Sequence, residues 1–181
     1  MKKVSFLKVL GVLWALVGFS WSISAQTDAF NKDDKVINVG IGLGSYISYT
    51  DFSISVPPIS GSFEYGIVDL FDKKGGVGIG GYLGYILYKN KFDNSMKVSD
   101  LVIGPRGLFH YQFVDKLDTY AGVMLGYDVK SYSRSSDLPG SGFYATYFLG
   151  ARYYLTSAIA IYGELGYGVA PLEIGVAYKF Q

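Results

Sequence analysis

The sequence of 181 residues contains no cysteine. It therefore cannot form a disulfide framework, bind a metal through thiolates or carry a lipidated N-terminal cysteine. An excess of one charge is also missing, because the formal net charge is only +1. Without a basic excess, the composition gives no reason to expect nucleic acid as a partner. The 3.6-residue period of an amphipathic helix is absent after residue 34, which argues against a helical fold.

Glycine and aromatic residues are abundant instead. The chain has 24 Gly, 17 Tyr and 12 Phe, and half of its residues are hydrophobic. An ordinary soluble domain carries less of both residue classes. The length corresponds to one domain.

The N-terminus has the three parts of a secretory signal peptide: early lysines, a short apolar run over 9–19 and small residues over 22–25. The apolar run is too short to cross about 30 Å of hydrocarbon, which argues against an anchor helix. We predict a signal peptide over 1–25 with cleavage after Ala25, and cleavage after Ser24 remains the alternative. The polar stretch 26–34 lacks periodicity and is predicted to be a flexible segment before a barrel over 35–181.

The rest of the chain divides into segments in which apolar and small or polar residues alternate. Such a period of two is typical of β-strands. Each segment has about ten to fourteen residues, which suits a transmembrane strand of about 9–11 residues better than a soluble strand of about 5–6. The predicted strands are 35–48, 59–68, 77–89, 100–113, 119–130, 142–155, 158–167 and 172–181.

The last segment differs from the others in which residues are apolar. The first seven segments have large apolar residues at odd positions, whereas the last has them at even positions. The short link 168–171 must therefore absorb a switch of face. Because open strand edges are not tolerated in lipid, we expect the last strand to pair with both the seventh and the first.

The links between predicted strands alternate in length. Longer links at 49–58, 90–99 and 131–141 alternate with shorter ones, as in outer membrane barrels, which have short periplasmic turns and longer external loops. The pair Pro57 and Pro58 places 49–58 in a loop, because proline cannot continue a paired ladder. Pro105 predicts a bulge or local break within the fourth strand.

Two kinds of barrel fit the alternation: a membrane barrel with its apolar face outward, or a soluble lipocalin-type barrel with that face inward. The other face is rich in Gly and Tyr, as a narrow lumen requires, rather than in the lysines of a solvated surface. Outward aromatics also form two rows, as a bilayer selects. We predict an all-β fold, an eight-stranded antiparallel up-and-down transmembrane β-barrel. The upper row is Tyr85, Tyr127, Phe143 and Tyr167; the lower row is Phe109, Tyr111, Phe113, Tyr153, Tyr178 and Phe180.

The inward face carries charges of both signs, which must pair in a narrow lumen. We predict a packed network that closes the lumen, centred on two glutamates and two arginines. The alternative is the selectivity constriction of a small-solute pore. An eight-stranded barrel is just wide enough for its own side chains, which favours the closed lumen. The predicted network consists of Glu64, Arg106, Asp128, Lys130, Arg152, Glu164, Glu173 and Lys179.

His110 is the only histidine and faces inward beside Tyr111 and Gln112. A catalyst would need a nucleophile and base within reach, and the neighbouring sequence has no serine. We therefore predict an interior packing role and no enzymatic activity, with an outer membrane lipid-modifying enzyme as the rival class. No cofactor or metal is predicted, because no cluster of His, Asp and Glu has ligand spacing.

These features together resemble the small outer membrane barrels of the OmpA transmembrane-domain and OmpX type, which are porin-like in architecture. The resemblance rests on the signal peptide, the strand pattern, the lumenal charges and the C-terminal strand that ends at Phe180, although Gln181 follows it here. It implies a monomer in the outer membrane of a Gram-negative cell. Its partners would be membrane lipid, the barrel-assembly machinery acting on the C-terminal strand, and an unidentified extracellular partner.

Overall fold

The computed structural model describes residues 30–45, 51–93, 95–133, 140–166 and 168–180. These residues form one closed antiparallel barrel in which each strand pairs with its neighbours in sequence. Within these ranges no helix is long and apolar enough to cross a membrane. The closed barrel of eight antiparallel strands confirms the predicted fold class. The strands are β1 (Lys35–Leu43), β2 (Phe52–Leu70), β3 (Gly75–Asn90), β4 (Lys97–Val114), β5 (Leu117–Tyr132), β6 (Gly142–Tyr154), β7 (Ile159–Gly166) and β8 (Leu172–Phe180).

The barrel closes where β8 meets β1. Their register runs from Leu43 opposite Leu172 to Lys35 opposite Phe180. β8 also pairs with β7 along its length. Both pairings expected of the last strand are present, so the barrel has no open edge at this seam.

The switch of face in β8 is present as predicted. Along β1 the even-numbered residues are buried and the odd-numbered ones exposed. In β7 the even-numbered Glu164 is buried, and it lies opposite the odd-numbered Glu173 of β8, which is buried too. Since directly opposed residues of an antiparallel pair share a face, the link 168–171 has inverted the alternation.

Small residues are required at the seam. A Cβ atom on Gly175 would lie 2.1 Å from the carbonyl oxygen of Val39 and 2.8 Å from the ring of Tyr162. On Gly163 of β7, by contrast, the nearest atom to an added Cβ would be 3.8 Å away. A side chain at position 175 would therefore force backbone atoms of β1 to move.

We expect Gly175→Ala to lower the free energy of unfolding by about 1–3 kcal/mol, because backbone atoms of β1 must move to admit the methyl group. Urea unfolding in lipid vesicles, followed by far-UV circular dichroism, measures this change. Gly163→Ala is the matched control and should leave the midpoint nearly unchanged. Equal midpoints for the two variants would contradict the close approach at the seam.

Two prolines predicted to lie in a loop are instead part of a strand. β2 begins at Phe52 and includes Pro57 and Pro58, so the predicted loop 49–58 was too long. The register with β3 shifts on both sides of Val56, and β1 pairs with β2 only as far as Ile59. The prolines are tolerated because they lie at an irregularity on a locally unpaired edge.

Pro105 interrupts the pairing of β4 with β5 but does not shift its register. Pro105 lies opposite Gly81 of β3 in a continuous register. Toward β5, however, no pair forms between Ile103 and Arg106, although the register is the same on either side. Of the two predicted outcomes, the local break is observed and the bulge is not. Proline has no backbone N–H to donate to β5, and the remaining hydrogen bonds of the ladder keep their register.

The barrel wall has unequal height. The end with turns 71–74, 115–116 and 155–158 is called the short-turn end, and the opposite end the long-loop end. β2 has 19 residues, whereas β7 has 8 and β8 has 9. The wall at the long-loop end is therefore tall on the side of β2 to β5 and low at β7, β8 and β1.

Candidate functional site

The lumen holds a buried network centred on Arg152. This side chain is 0% exposed and donates to Glu64, to Asp118 Oδ2 at 2.9 Å and to Asn38 Oδ1 at 3.1 Å. Asn38 in turn donates to Ser62 Oγ at 2.8 Å. The partners come from β1, β2 and β5, so the guanidinium of β6 joins strands across the lumen. These three contacts of the guanidinium group offset the free energy cost of removing the charges from water.

His110 lies beside this network. Its Nδ1 is 3.0 Å from Asp118 Oδ1, and its Nε2 is 3.8 Å from Glu64 without forming a hydrogen bond to any described residue. The ring of Phe30 stacks on it with centroids 3.9 Å apart. His110 is 1% exposed, so its imidazole has no open path to a substrate in this arrangement.

Residues 30–34 fold back into the short-turn end. The N–H of Asp33 donates to the carbonyl of Gly66 at 2.9 Å, and the N–H of Gly66 donates to the carbonyl of Asp34, also at 2.9 Å. A Cβ on Gly66 would lie 2.0 Å from the carbonyl oxygen of Asn31, so the segment sits on a position that only glycine can supply. The carboxylate of Asp34 lies 3.4 Å from the ammonium of Lys179.

This packing differs from the flexible segment predicted over 26–34. Its described part is fixed because backbone groups of β2 satisfy its own backbone groups and because Phe30 has an aromatic partner in the lumen. The polar composition gave no sign of either contact. Residues 26–29, like the predicted signal peptide over 1–25, lie outside the described residues.

A second buried group occupies the middle of the lumen. Arg106 pairs with Glu164, and its guanidinium carbon lies 3.6 Å from the ring centroid of Phe148 and 5.3 Å from that of Tyr82. Arginine is suited to this position because its planar cation stacks on aromatic faces while it pairs with a carboxylate. The hydroxyl of Tyr120 donates to the same glutamate at 3.2 Å.

The link between β7 and β8 folds inward at the long-loop end. Val169 and Ala170 are 5% and 2% exposed. The N–H of Val169 donates to the hydroxyl of Tyr82 at 3.1 Å, and that hydroxyl donates to Glu173. An added Cβ on Gly84 would lie 2.8 Å from the side chain of Val169, so the small residue makes space for the link.

The third charged group lies closer to the long-loop end. The ammonium of Lys130 is 2.7 Å from Asp128 and 3.6 Å from Asp100. Across the described residues, no group of three His, Cys, Asp or Glu side chains could hold a metal ion. The described charges of the lumen form ion pairs, and Arg106 and Arg152 also lie over aromatic rings.

Comparison with known proteins identifies the fold through structure and not through sequence. No protein-family model and no curated protein matches the chain. OprG from Pseudomonas aeruginosa is similar with a TM-score of 0.57 and 13% identity, over 85% of this chain and 99% of that chain. Ail from Yersinia pestis, in complex with the heparin analogue sucrose octasulfate, is similar with a TM-score of 0.51 and 12% identity, over 82% of this chain and 99% of that chain.

The chain has the fold of the small eight-stranded outer membrane β-barrels. The resemblance drawn from the strand pattern is confirmed at the level of fold. At such low identity, the similarity extends to the fold alone.

The predicted residues can now be placed in this outer membrane barrel fold. The four residues at the centre of the predicted network form two ion pairs, Arg152 with Glu64 and Arg106 with Glu164. Glu173 accepts hydrogen bonds from the hydroxyls of Tyr82 and Ser60 and has no cationic partner among the described residues. The other three predicted charges pair as Lys130 with Asp128 and Asp100, and Lys179 with Asp34.

Several of the buried polar residues that take part in these ion pairs and hydrogen bonds were not identified from the sequence. Asp100 and Asp118 have the even numbering of inward positions, but both were left out, since Asp100 begins the fourth predicted strand and Asp118 was placed in the turn one residue before the fifth. The alternation of even and odd positions along the chain could have identified both as inward residues. Asp34 had no such signal, because it precedes the first strand. The missed residues in the ion-pair and hydrogen-bond groups are Asp34, Asn38, Asp100 and Asp118.

Two pairs of the predicted outward aromatics lie near the rims of the barrel, whereas the exposed Tyr147 lies in the middle of the wall opposite Val123. At the long-loop end the rings of Tyr127 and Phe143 are 4.5 Å apart. At the short-turn end Tyr111 and Phe113 are 4.7 Å apart, and Phe71 of the turn adds an aromatic that was not predicted. Tyr167 of the predicted upper row lies outside the described residues. The other predicted members, Tyr85, Phe109, Tyr153, Tyr178 and Phe180, lie in β3, β4, β6 and β8.

Proposed function

We propose that this chain is an integral outer membrane protein, exported through its signal peptide, whose barrel is closed to solutes by its own side chains. The protein either has a structural role in the membrane or interacts with partners at the cell surface through its external loops. The short-turn end faces the periplasm in this proposal, and the long-loop end faces the exterior. Membrane lipid surrounds the barrel, and the assembly machinery acts on β8.

The outward face supports a position in a bilayer. Large apolar side chains on every strand are strongly exposed, among them Val39 at 57%, Val123 at 64%, Leu165 at 58% and Ile174 at 49%. An exposed apolar surface that surrounds the whole barrel has no covering partner in water, whereas a lipid bilayer covers it. The polar lumen and the aromatic rims fit the same position.

The observation that carries the closed lumen is the complete burial of Arg152. A water-filled channel would hydrate a lumenal guanidinium, but this side chain is 0% exposed and is in contact with side chains from three other strands. Phe30 covers the neighbouring His110 from the short-turn end, and Val169 and Ala170 fill the other end. Buried side chains in the middle of the lumen and at both of its ends therefore support closure rather than a pore.

Planar bilayer recording tests the closed lumen against a small-solute pore. The refolded protein, shown to be folded by its faster gel migration before boiling, should insert without producing conductance steps. A conducting porin in the same bilayers is the control for insertion and recording. Steady ohmic steps from this chain would overturn the closed lumen and favour the pore.

The proposal assigns no catalytic role to the barrel. His110 is 1% exposed, lies under Phe30 and is engaged by Asp118. We therefore expect the lipid A of cells that express the protein to keep its mass. A mass change that is lost in His110→Ala would favour a lipid-modifying enzyme instead.

A further inference from the structure

The upper part of β6 has one free edge among the described residues. Its pairing with β7 ends at Phe148 opposite Gly166, whereas its pairing with β5 continues to Gly142. The stretch 142–147 therefore stands beside the low side of the wall. Phe143 of this stretch pairs with Tyr127 at the outer rim, so the edge runs from the rim toward the middle of the wall.

A cavity of about 350 Å³ adjoins this edge. Inward side chains line it, including Ile86 and Val102, but so do Ala145 and Tyr147, which are exposed positions on the opposite face of β6. A cavity bounded by both faces of one strand reaches around that strand's free edge. Among the described residues no strand pairs with this edge, so the cavity is open there to the side of the barrel, with Val169 of the inward link as a further boundary.

The cavity has more acidic than basic charge around it. Asp100 and Asp128 both line it and share one cation, Lys130, which lies 3.6 Å and 2.7 Å from them, so two carboxylates face one ammonium group. Asp128 Oδ1 and the hydroxyl of Tyr144 are buried without a hydrogen-bond partner among the described residues. Buried polar atoms in native proteins are normally paired, so a bound donor would complete both groups.

We propose that this cavity binds a small cationic amphiphile, an organic ammonium ion with an apolar chain or ring, which enters from the side beside β6. The ammonium group donates to Asp128 and Tyr144, and the apolar body packs on Ile86, Val102 and the ring of Tyr147. The volume of about 350 Å³ lies at the lower end of the range for small-molecule sites, about 300–1,000 Å³, so the cavity has room for a small organic ion of the size of hexylammonium. Ring faces of Tyr144 and Tyr147 add attraction for a cation.

This inference goes beyond the closed lumen and does not depend on it. The cavity lies on the long-loop side of Val169, whereas Arg152 and Arg106 lie deeper in the lumen. Absence of amine binding would leave the conductance prediction untouched, and a conducting lumen would leave the amine site untouched.

Calorimetric titration of the barrel in lipid nanodiscs tests the site, with empty nanodiscs subtracted. The probes are hexylammonium, uncharged hexanol and anionic hexanoate. We expect saturable binding of hexylammonium, at least about tenfold tighter than either of the other two, because a hydrogen bond to a charged group contributes about 1.5–3 kcal/mol. Equal binding of the three probes, or no binding above empty nanodiscs, overturns the proposal.

Three variants locate the site. Asp128→Asn should weaken hexylammonium binding about tenfold by removing the charge. Ala145→Trp should abolish binding by filling the side opening. Leu149→Trp is the matched control, because Leu149 lies on the same outward face of β6 but outside the cavity lining. Hexylammonium binding that is unaffected by Asp128→Asn and Ala145→Trp, or reduced equally by Leu149→Trp, overturns the assignment to this cavity.

Discussion

Arg152→Ala is expected to lower the free energy of unfolding by about 3–5 kcal/mol, because it leaves buried carboxylates without their cation. Glu64 is 0% exposed and Asp118 is 1% exposed, so water does not replace the lost partner. Urea unfolding in lipid vesicles measures the loss. Far-UV circular dichroism is the suitable readout, since both tryptophans, Trp14 and Trp21, precede the barrel.

The matched control is Lys97→Ala. It removes one positive charge from an exposed residue at the start of β4, and we expect a change within about 0.5 kcal/mol. Arg152→Met combined with Glu64→Gln should cost less than the sum of the two single changes, because the double variant removes both charges of one buried pair. If Arg152→Ala unfolds no more easily than Lys97→Ala, the network is solvated and the closed lumen is contradicted as well.

The second large effect is expected on the outward face. Val123 lies in the middle of β5 and is 64% exposed, pointing away from the lumen. In a bilayer, Val123→Arg should destabilise the barrel by about 2–4 kcal/mol, because the charge must lie near the middle of the hydrocarbon. In a soluble barrel the same surface substitution would stay within about 0.5 kcal/mol.

Ser131→Arg is the control for depth. Ser131 belongs to the same strand and faces the same way, but it lies beyond Tyr127 of the outer aromatic rim. We expect its cost to be about 0–1 kcal/mol, as near a membrane interface. Urea midpoints of both variants in the same vesicles provide the comparison. Equal midpoints would contradict a bilayer around the mid-barrel and favour an outward face in water.

The strand pattern was predictable because a period of two is a local property of the sequence. Alternation along β5 shows which face is apolar without any knowledge of the partner strand. The inversion at β8 was predictable for the same reason, and the pair of Glu164 with Glu173 confirms it. The loop 49–58 was predicted too long because Pro57 and Pro58 were judged without the register of the neighbouring strands, which leaves their edge unpaired.

The lumen was predictable only in part. Even numbering places Glu64 and Arg152 inside, but their meeting depends on how the strands are staggered around the closed barrel. Strand stagger is a property of the whole sheet and of closure. The same reason explains why the stacking of Phe30 on His110 and the inward fold of Val169 were missed, since each joins residues that are far apart in the chain.

By itself, the sequence determined the number of strands, the face that each strand turns outward and the need for β8 to close the barrel, because these follow from local alternation and from the cost of an open edge. Only the tertiary structure decided which charges pair, what fills each end of the lumen and where the wall is low beside β6. Those features depend on contacts between strands, and the stagger that creates such contacts exists only once the sheet has closed.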